Sequence, residues 1–194
     1  MNLFNTEAYT LSEVKESLSE DYNLAFAPLL EKHHDFLEES ISVILAKETG
    51  PNVKQAHLGR FLHLLAMHAK AEEETLYIGL KSASDKLARI EGTAAQDEHD
   101  LAMQLSDELK DMGFDSNWSE EIEAKAQVIA GWVQNHIKEE EHEIFKTAKK
   151  DIAEEEMESF RDDYLEKCKT YLEEEMESPI QVKPMSADRM SNLY

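Results

Sequence analysis

Residues 68–77 read HAKAEEETLY and residues 136–145 read HIKEEEHEIF. Each stretch opens with a histidine, places a glutamate four positions on (Glu72, Glu140), and runs through further acids to an apolar–aromatic pair. On an α-helix, positions i and i+4 share one face, one turn apart. An imidazole nitrogen and a carboxylate oxygen held in this way can reach one metal ion, and a carboxylate that uses both oxygens can bridge two. Bundles that hold metal pairs are built from such side chains projecting inward from facing helices. A single pair of this kind in an acidic chain usually means only a solvated polar face. Two pairs, on two separate long helical segments, make a metal centre the better reading.

Working outward, apolar residues recur at helical spacing along most of the chain. Leu11 to about Glu20 is a weak segment. A stronger one spans about Asn23 to Lys47 and stops at Thr49-Gly50-Pro51, a helix terminator. The next runs from Val53 to about Leu80, with a soft break at Ser82–Asp85. Another runs from Leu87 to Met112 and ends at Gly113. Ser119 is a good cap for a helix reaching about Lys150. Ile152 to about Met176 is helical and dense in glutamate, and an irregular tail follows from Ser178. Short connections make consecutive helices antiparallel neighbours. The expected fold is therefore all-α: an up-down-up-down four-helix bundle over 23–150, preceded by a short N-terminal segment (1–22) and followed by an acidic extra helix and tail (151–194).

Composition agrees. Six glycines and four prolines in 194 residues, with 41% apolar residues, favour helices over strands and turns. A formal net charge of −22 argues against nucleic acid as a partner and against anionic membrane surfaces. The lone cysteine, Cys168, excludes an internal disulfide and any cysteine-based metal cluster; it reads as a half-buried helix residue. The N-terminus has no basic-then-apolar signal pattern, and no apolar run approaches membrane length. A cytoplasmic location is expected.

Eight histidines are present: His33, His34, His57, His63, His68, His99, His136 and His142. Each of the four long segments carries at least one near its middle. His68-x-x-x-Glu72 and His136-x-x-x-Glu140 would face each other across the core, and His33 (or His34) and His99 would complete four imidazoles and two carboxylates. Mixed nitrogen and oxygen donors suit iron or manganese, and zinc less. His57, His63 and His142 read as surface or helix-end residues. Trp132 and Tyr77 read as core aromatics, with a role beside the metals as the functional alternative.

EKHHDFLEES (31–40), MHAKAEEETLY (67–77), DEHDLAMQL (97–105) and NHIKEEEHEIF (135–145) together resemble the hemerythrin-like, or HHE cation-binding, family over about Leu24 to Ala148. The resemblance implies a four-helix bundle around two non-haem iron ions bridged by a solvent-derived oxygen. It places His68, Glu72, His136 and Glu140 as ligands, with Glu141 competing with Glu140, and His99 from the third helix. At about 100° per residue, His33 lies about 30° from the mean direction of the stripe Phe26, Leu29, Leu30, Leu37 and Ile44, and His34 about 70°. His33 is therefore preferred. Glu98 points closer than His99 to the centre of Leu101–Leu105–Leu109 and competes with it.

Oxygen-carrying hemerythrins have a second third-helix histidine four residues from the first. Here those positions are Ala95 and Met103. The resemblance then implies a protein that binds or senses O2, NO or a related small molecule at an open iron position, rather than a carrier. A peroxide- or O2-activating enzyme of catalase or peroxidase type is the alternative. Protection of iron centres under nitrosative stress is a further one, weakened because the family members with that role carry an N-terminal cysteine segment. The acidic C-terminal helix offers a surface for a protein partner.

Overall fold

The computed structural model describes residue 16 and residues 21–177. The weak helix expected at 11–20 and the tail beyond Ser178 lie outside the described residues, apart from Glu16. A 3-10 turn, Asp21–Asn23, leads into α1 (Phe26–Leu45). Then follow α2 (Pro51–Glu73), α3 (Leu76–Ser82), α4 (Lys86–Asp111), α5 (Glu120–Glu139), a π turn (Glu140–Ile144), α6 (Phe145–Asp151) and α7 (Glu154–Glu177). There is no strand among the described residues, and none of the helices is long and apolar enough to cross a membrane.

Helix ends follow local chemistry. Pro51 occupies the first position of α2, where its missing N–H costs nothing. Ser119 caps α5 by accepting the Ile122 N–H. Asp85 caps α4 by accepting from Leu87 and Ala88, a cap hidden in what read as a soft break. Gly113 takes φ +67 after α4, the left-handed value that glycine adopts without strain.

α1 packs beside α2 and α5, and α4 beside α3 and α5, so the arms α1, α2–α3, α4 and α5–α6 close a four-membered ring. α7 lies outside this ring against α2 and α1. Two of the arms are less regular than expected. The second breaks at Glu74–Thr75, where Thr75 leaves helical geometry and its hydroxyl donates to the Ala71 carbonyl. The fourth widens into the π turn at Glu140, an irregularity that recurs at functional sites.

α4 buries a face of small residues: Ala88, Gly92, Ala95, Ala102 and Ser106, with His99 and Leu109. A Cβ on Gly92 would sit 2.7 Å from the Leu80 Cβ and 3.2 Å from the Lys81 backbone nitrogen. That glycine lets α3 and α4 touch backbone to backbone. α7 buries Tyr164, Leu165, Cys168 and Leu172 and exposes its acids up to Glu174. Cys168 is thus fully rather than half buried. Trp132, expected in the core, is 40% exposed. His57 and His63, expected at the surface, are buried. Arg60 lies 3.1 Å from His57 Nδ1 and also reaches Ser40 and Glu39.

Gly92→Ala trades better helix propensity, about 1 kcal/mol, against overpacking worth about 1–3 kcal/mol. The expected outcome is a net loss of stability of about 1 kcal/mol in urea unfolding. Burial, with the Arg60 charge beside it, pushes His57 down to about 4 from its ordinary 6.5. The unfolded chain takes up this proton near 6.5 and the folded chain only near 4, so this group lowers stability as pH falls through that window. His57→Gln keeps an acceptor for Arg60 and removes the titration. Its urea midpoint should fall less than the parent's between pH 6.5 and 4; parallel profiles would contradict this origin.

Candidate metal centre

All four arms send side chains to one buried point. His34 comes from α1, His68 and Glu72 from α2, His99 from α4, His136 from α5, and Glu140 from the start of the π turn. Each of these six is at most 5% exposed. One group of donor atoms that could hold an ion is His34, His68, Glu72 and Glu140; another is Glu72, His99 and His136. Glu72 belongs to both.

Each imidazole turns its Nε2 inward. His68 Nε2 lies 3.1 Å from Glu72 Oε2, and His34 Nε2 lies 3.3 Å from Glu140 Oε2. His99 and His136 bring their Nε2 atoms to 3.0 Å from each other. Three of the four outer nitrogens have hydrogen-bond partners, and the fourth, His99 Nδ1, has a carboxylate at ion-pair distance. Glu141 Oε1 is 2.8 Å from His34 Nδ1, Glu98 Oε2 is 2.7 Å from His136 Nδ1, and Glu73 Oε1 is 3.3 Å from His99 Nδ1. Tyr164 Oη is 2.8 Å from His68 Nδ1. A carboxylate on Nδ1 keeps the proton there and leaves Nε2 as a bare lone pair. Two such lone pairs 3.0 Å apart repel unless a cation or a proton lies between them.

The doublets Glu72-Glu73 and Glu140-Glu141 therefore divide their work. The first glutamate of each turns inward, and the second steadies a histidine of another arm. Nε2 of His34 and His68, Oε1 of Glu72 and Oε2 of Glu140 are buried without a hydrogen-bond partner, which buried polar atoms rarely tolerate. Burial, then the Glu140 charge, holds Glu72 well above the usual carboxylate range. Burial alone would lower His34, but Glu140 and Glu141 push it up to about 9. Without metal, protons balance the two carboxylates. The donor set, its burial and its unpaired atoms all fit a metal pair.

The expected residues are not all gathered here. His33, preferred from the helical stripe, lies outside both donor groups. Its Nδ1 is 2.8 Å from Tyr164 Oη and its Nε2 is 3.8 Å from Asp21 Oδ2. The stripe's mean direction misled because Phe26 packs on Tyr164 of α7, with 5.6 Å between ring centroids. α1 packs against α2, α5 and α7, and its apolar centre points among the three. Similarly, the buried face of α4 is built from small residues, with Leu101 48% exposed, so His99 faces inward and Glu98 turns to His136.

Tyr77 reads from the sequence as a core aromatic, with a role beside the metals as the alternative, and the structure brings it into the donor set. Its hydroxyl lies 3.1 Å from Glu140 Oε1, 3.2 Å from His99 Nε2, 3.3 Å from His136 Nε2 and 3.4 Å from Glu72 Oε2. On an unbroken helix it would point about 140° away from Glu72; the break at Glu74–Thr75 returns it to the centre. Burial and the two carboxylates hold its phenol protonated, well above the usual range. Phe145 stacks on His34 at 6.1 Å and 8°. With Glu141, Phe26, Ile152 and Met157 it also lines a cleft of about 640 Å³ beside the centre.

No curated protein and no solved structure matches the chain significantly. A family model, the hemerythrin HHE cation binding domain, matches residues 25–148, the span that holds both donor groups, Tyr77 and the three outer carboxylates. The chain belongs to the hemerythrin HHE cation-binding domain family.

Proposed function

We propose that this protein holds two iron ions on His34, His68, Glu72, His99, His136 and Glu140, and that the centre binds O2, NO or a related small molecule for sensing, storage or scavenging. The observation that carries this reading is the inward turn of four Nε2 atoms onto two buried carboxylates, with no lysine or arginine ion pair to either recorded among the described residues. Imidazole and carboxylate together suit iron or manganese. Iron held there supplies a redox-active Lewis acid whose remaining coordination positions the protein leaves free.

The chain's own residues do the rest. Glu73, Glu98 and Glu141 hold protons on Nδ1 and so keep Nε2 available. Ala95, one turn before His99, is buried and offers no fifth imidazole, which favours ligand binding at an open position over the oxygen-carrier arrangement. The cleft lined by Phe145 and Glu141 abuts His34, which both residues touch, on the side from which a small molecule would approach. One observation favours the alternative, an enzyme that activates peroxide or O2: the Tyr77 hydroxyl is a proton donor inside the donor set.

Purified protein should carry two irons per chain. His34→Ala should lose at least one, while His33→Ala should keep both; the reverse pattern would restore His33 as the ligand. The reduced protein should change its visible spectrum on exposure to O2 or NO, and protein free of metal would refute the reading. Peroxide turnover above that of free iron, cut at least tenfold by Tyr77→Phe, is the result expected of the enzyme alternative; none above free iron removes it.

A further inference from the structure

A second buried polar chain runs away from the centre through Tyr164 and Asp21, which lie outside the matched family span, and His33 within it. Tyr164 of α7 is fully buried, and its hydroxyl sits 2.8 Å from Nδ1 of His68 and 2.8 Å from Nδ1 of His33. His33 Nε2 and Asp21 Oδ2, 3.8 Å apart, are both buried and have no hydrogen-bond partner. Asp21 in turn pairs with Lys32, whose side chain is 33% exposed.

A phenol gives one proton and can accept two, and Tyr164 also hydrogen-bonds Cys168, so the direction is set at the His68 end. His68 Nε2 faces Glu72 and must be bare to take a metal, so Nδ1 carries the proton and donates to Tyr164. The relay takes the Tyr164 proton to His33 Nδ1, 2.8 Å away, rather than to Cys168. His33 is left with its N–H on Nε2, aimed at the Asp21 carboxylate. With the opposite order, an N–H on His68 Nε2 would point at the metal position and block it.

The other three imidazoles of the centre have a carboxylate directly on Nδ1, whereas His68 has only a neutral phenol. We propose that Tyr164 is a positioning residue of the metal centre: its hydroxyl fixes the tautomer of His68 and joins that imidazole, through His33, to the carboxylate of Asp21. The extra helix and the turn before α1 thereby tune the ion held by His68, while the ion held by His99 and His136 answers to carboxylates within the bundle. The inference rests on the metal reading above.

The parent, Tyr164→Phe and Asp21→Asn are loaded with ferrous iron. Affinity is read by competition with a chromophoric chelator and the reduction midpoint by optical titration. Tyr164→Phe keeps its ring against Phe26 and His33, and far-UV circular dichroism checks its fold. It should weaken one iron equivalent about 10–100-fold and raise the midpoint, because a less basic imidazole stabilises the ferric ion less. Asp21→Asn should raise the midpoint by a smaller amount. Parent-like affinity and midpoint in Tyr164→Phe overturn the proposal. A change in Tyr164→Phe with none in Asp21→Asn overturns its Asp21 end. Should Tyr164→Phe not fold, Asp21→Asn decides alone, an unchanged midpoint overturning the proposal. A parent that binds no iron fails the metal reading instead, whereas a parent with two irons matched by both variants fails only this one.

Discussion

Two carboxylates, Glu72 and Glu140, are fully buried within a shell of four imidazoles. Removing such charges from water costs several kcal/mol each unless an opposite charge accompanies them. Among the described residues, no lysine or arginine ion pair with either is recorded; their close partners are histidines and Tyr77. The protein can meet this constraint with protons or with metal ions. The orientation of every imidazole suits the second solution, because each outer nitrogen faces a carboxylate or a phenol and each Nε2 faces the centre. The outer acids, the break in the second arm and the small-residue face of α4 each position something around these two groups.

The four arms were legible because their apolar periodicity and their stops, Gly50-Pro51 and Gly113 among them, are local signals. The paired motifs were legible for the same reason: i and i+4 share a face whatever surrounds the helix. What the sequence hid depends on neighbours. His33 and His34 are adjacent and both buried, and only the docking of α7 decides which of them meets the centre. His99 sits on a face of alanine, glycine and serine, which weigh little in a hydrophobic stripe although they pack closest. Tyr77 needed the break at Thr75, a departure from helix geometry that no periodicity announces. Glu98 points toward the core as its direction suggests, and its Oε2 lies 2.7 Å from His136 Nδ1.

α7 changes the character of the bundle. Its acidic residues up to Glu174 face solvent, as its composition suggested, while Tyr164, Leu165, Cys168 and Leu172 form an apolar face against α1 and α2. This face lies beyond the family span, yet it touches His33 and His68. A helix that reads as an appendage by composition is therefore a wall of the site.

The donors lie at positions 34, 68, 72, 99, 136 and 140, on four arms, so no short stretch of chain can offer more than an i, i+4 pair. A partly folded chain would hold an ion weakly, and full coordination appears only when the last arm has docked. Binding free energy is then gained at the end of folding rather than along the way. Metal supply would act as a late checkpoint on maturation, and metal-starved chains would be complete but looser, more open to proteolysis than their loaded counterparts.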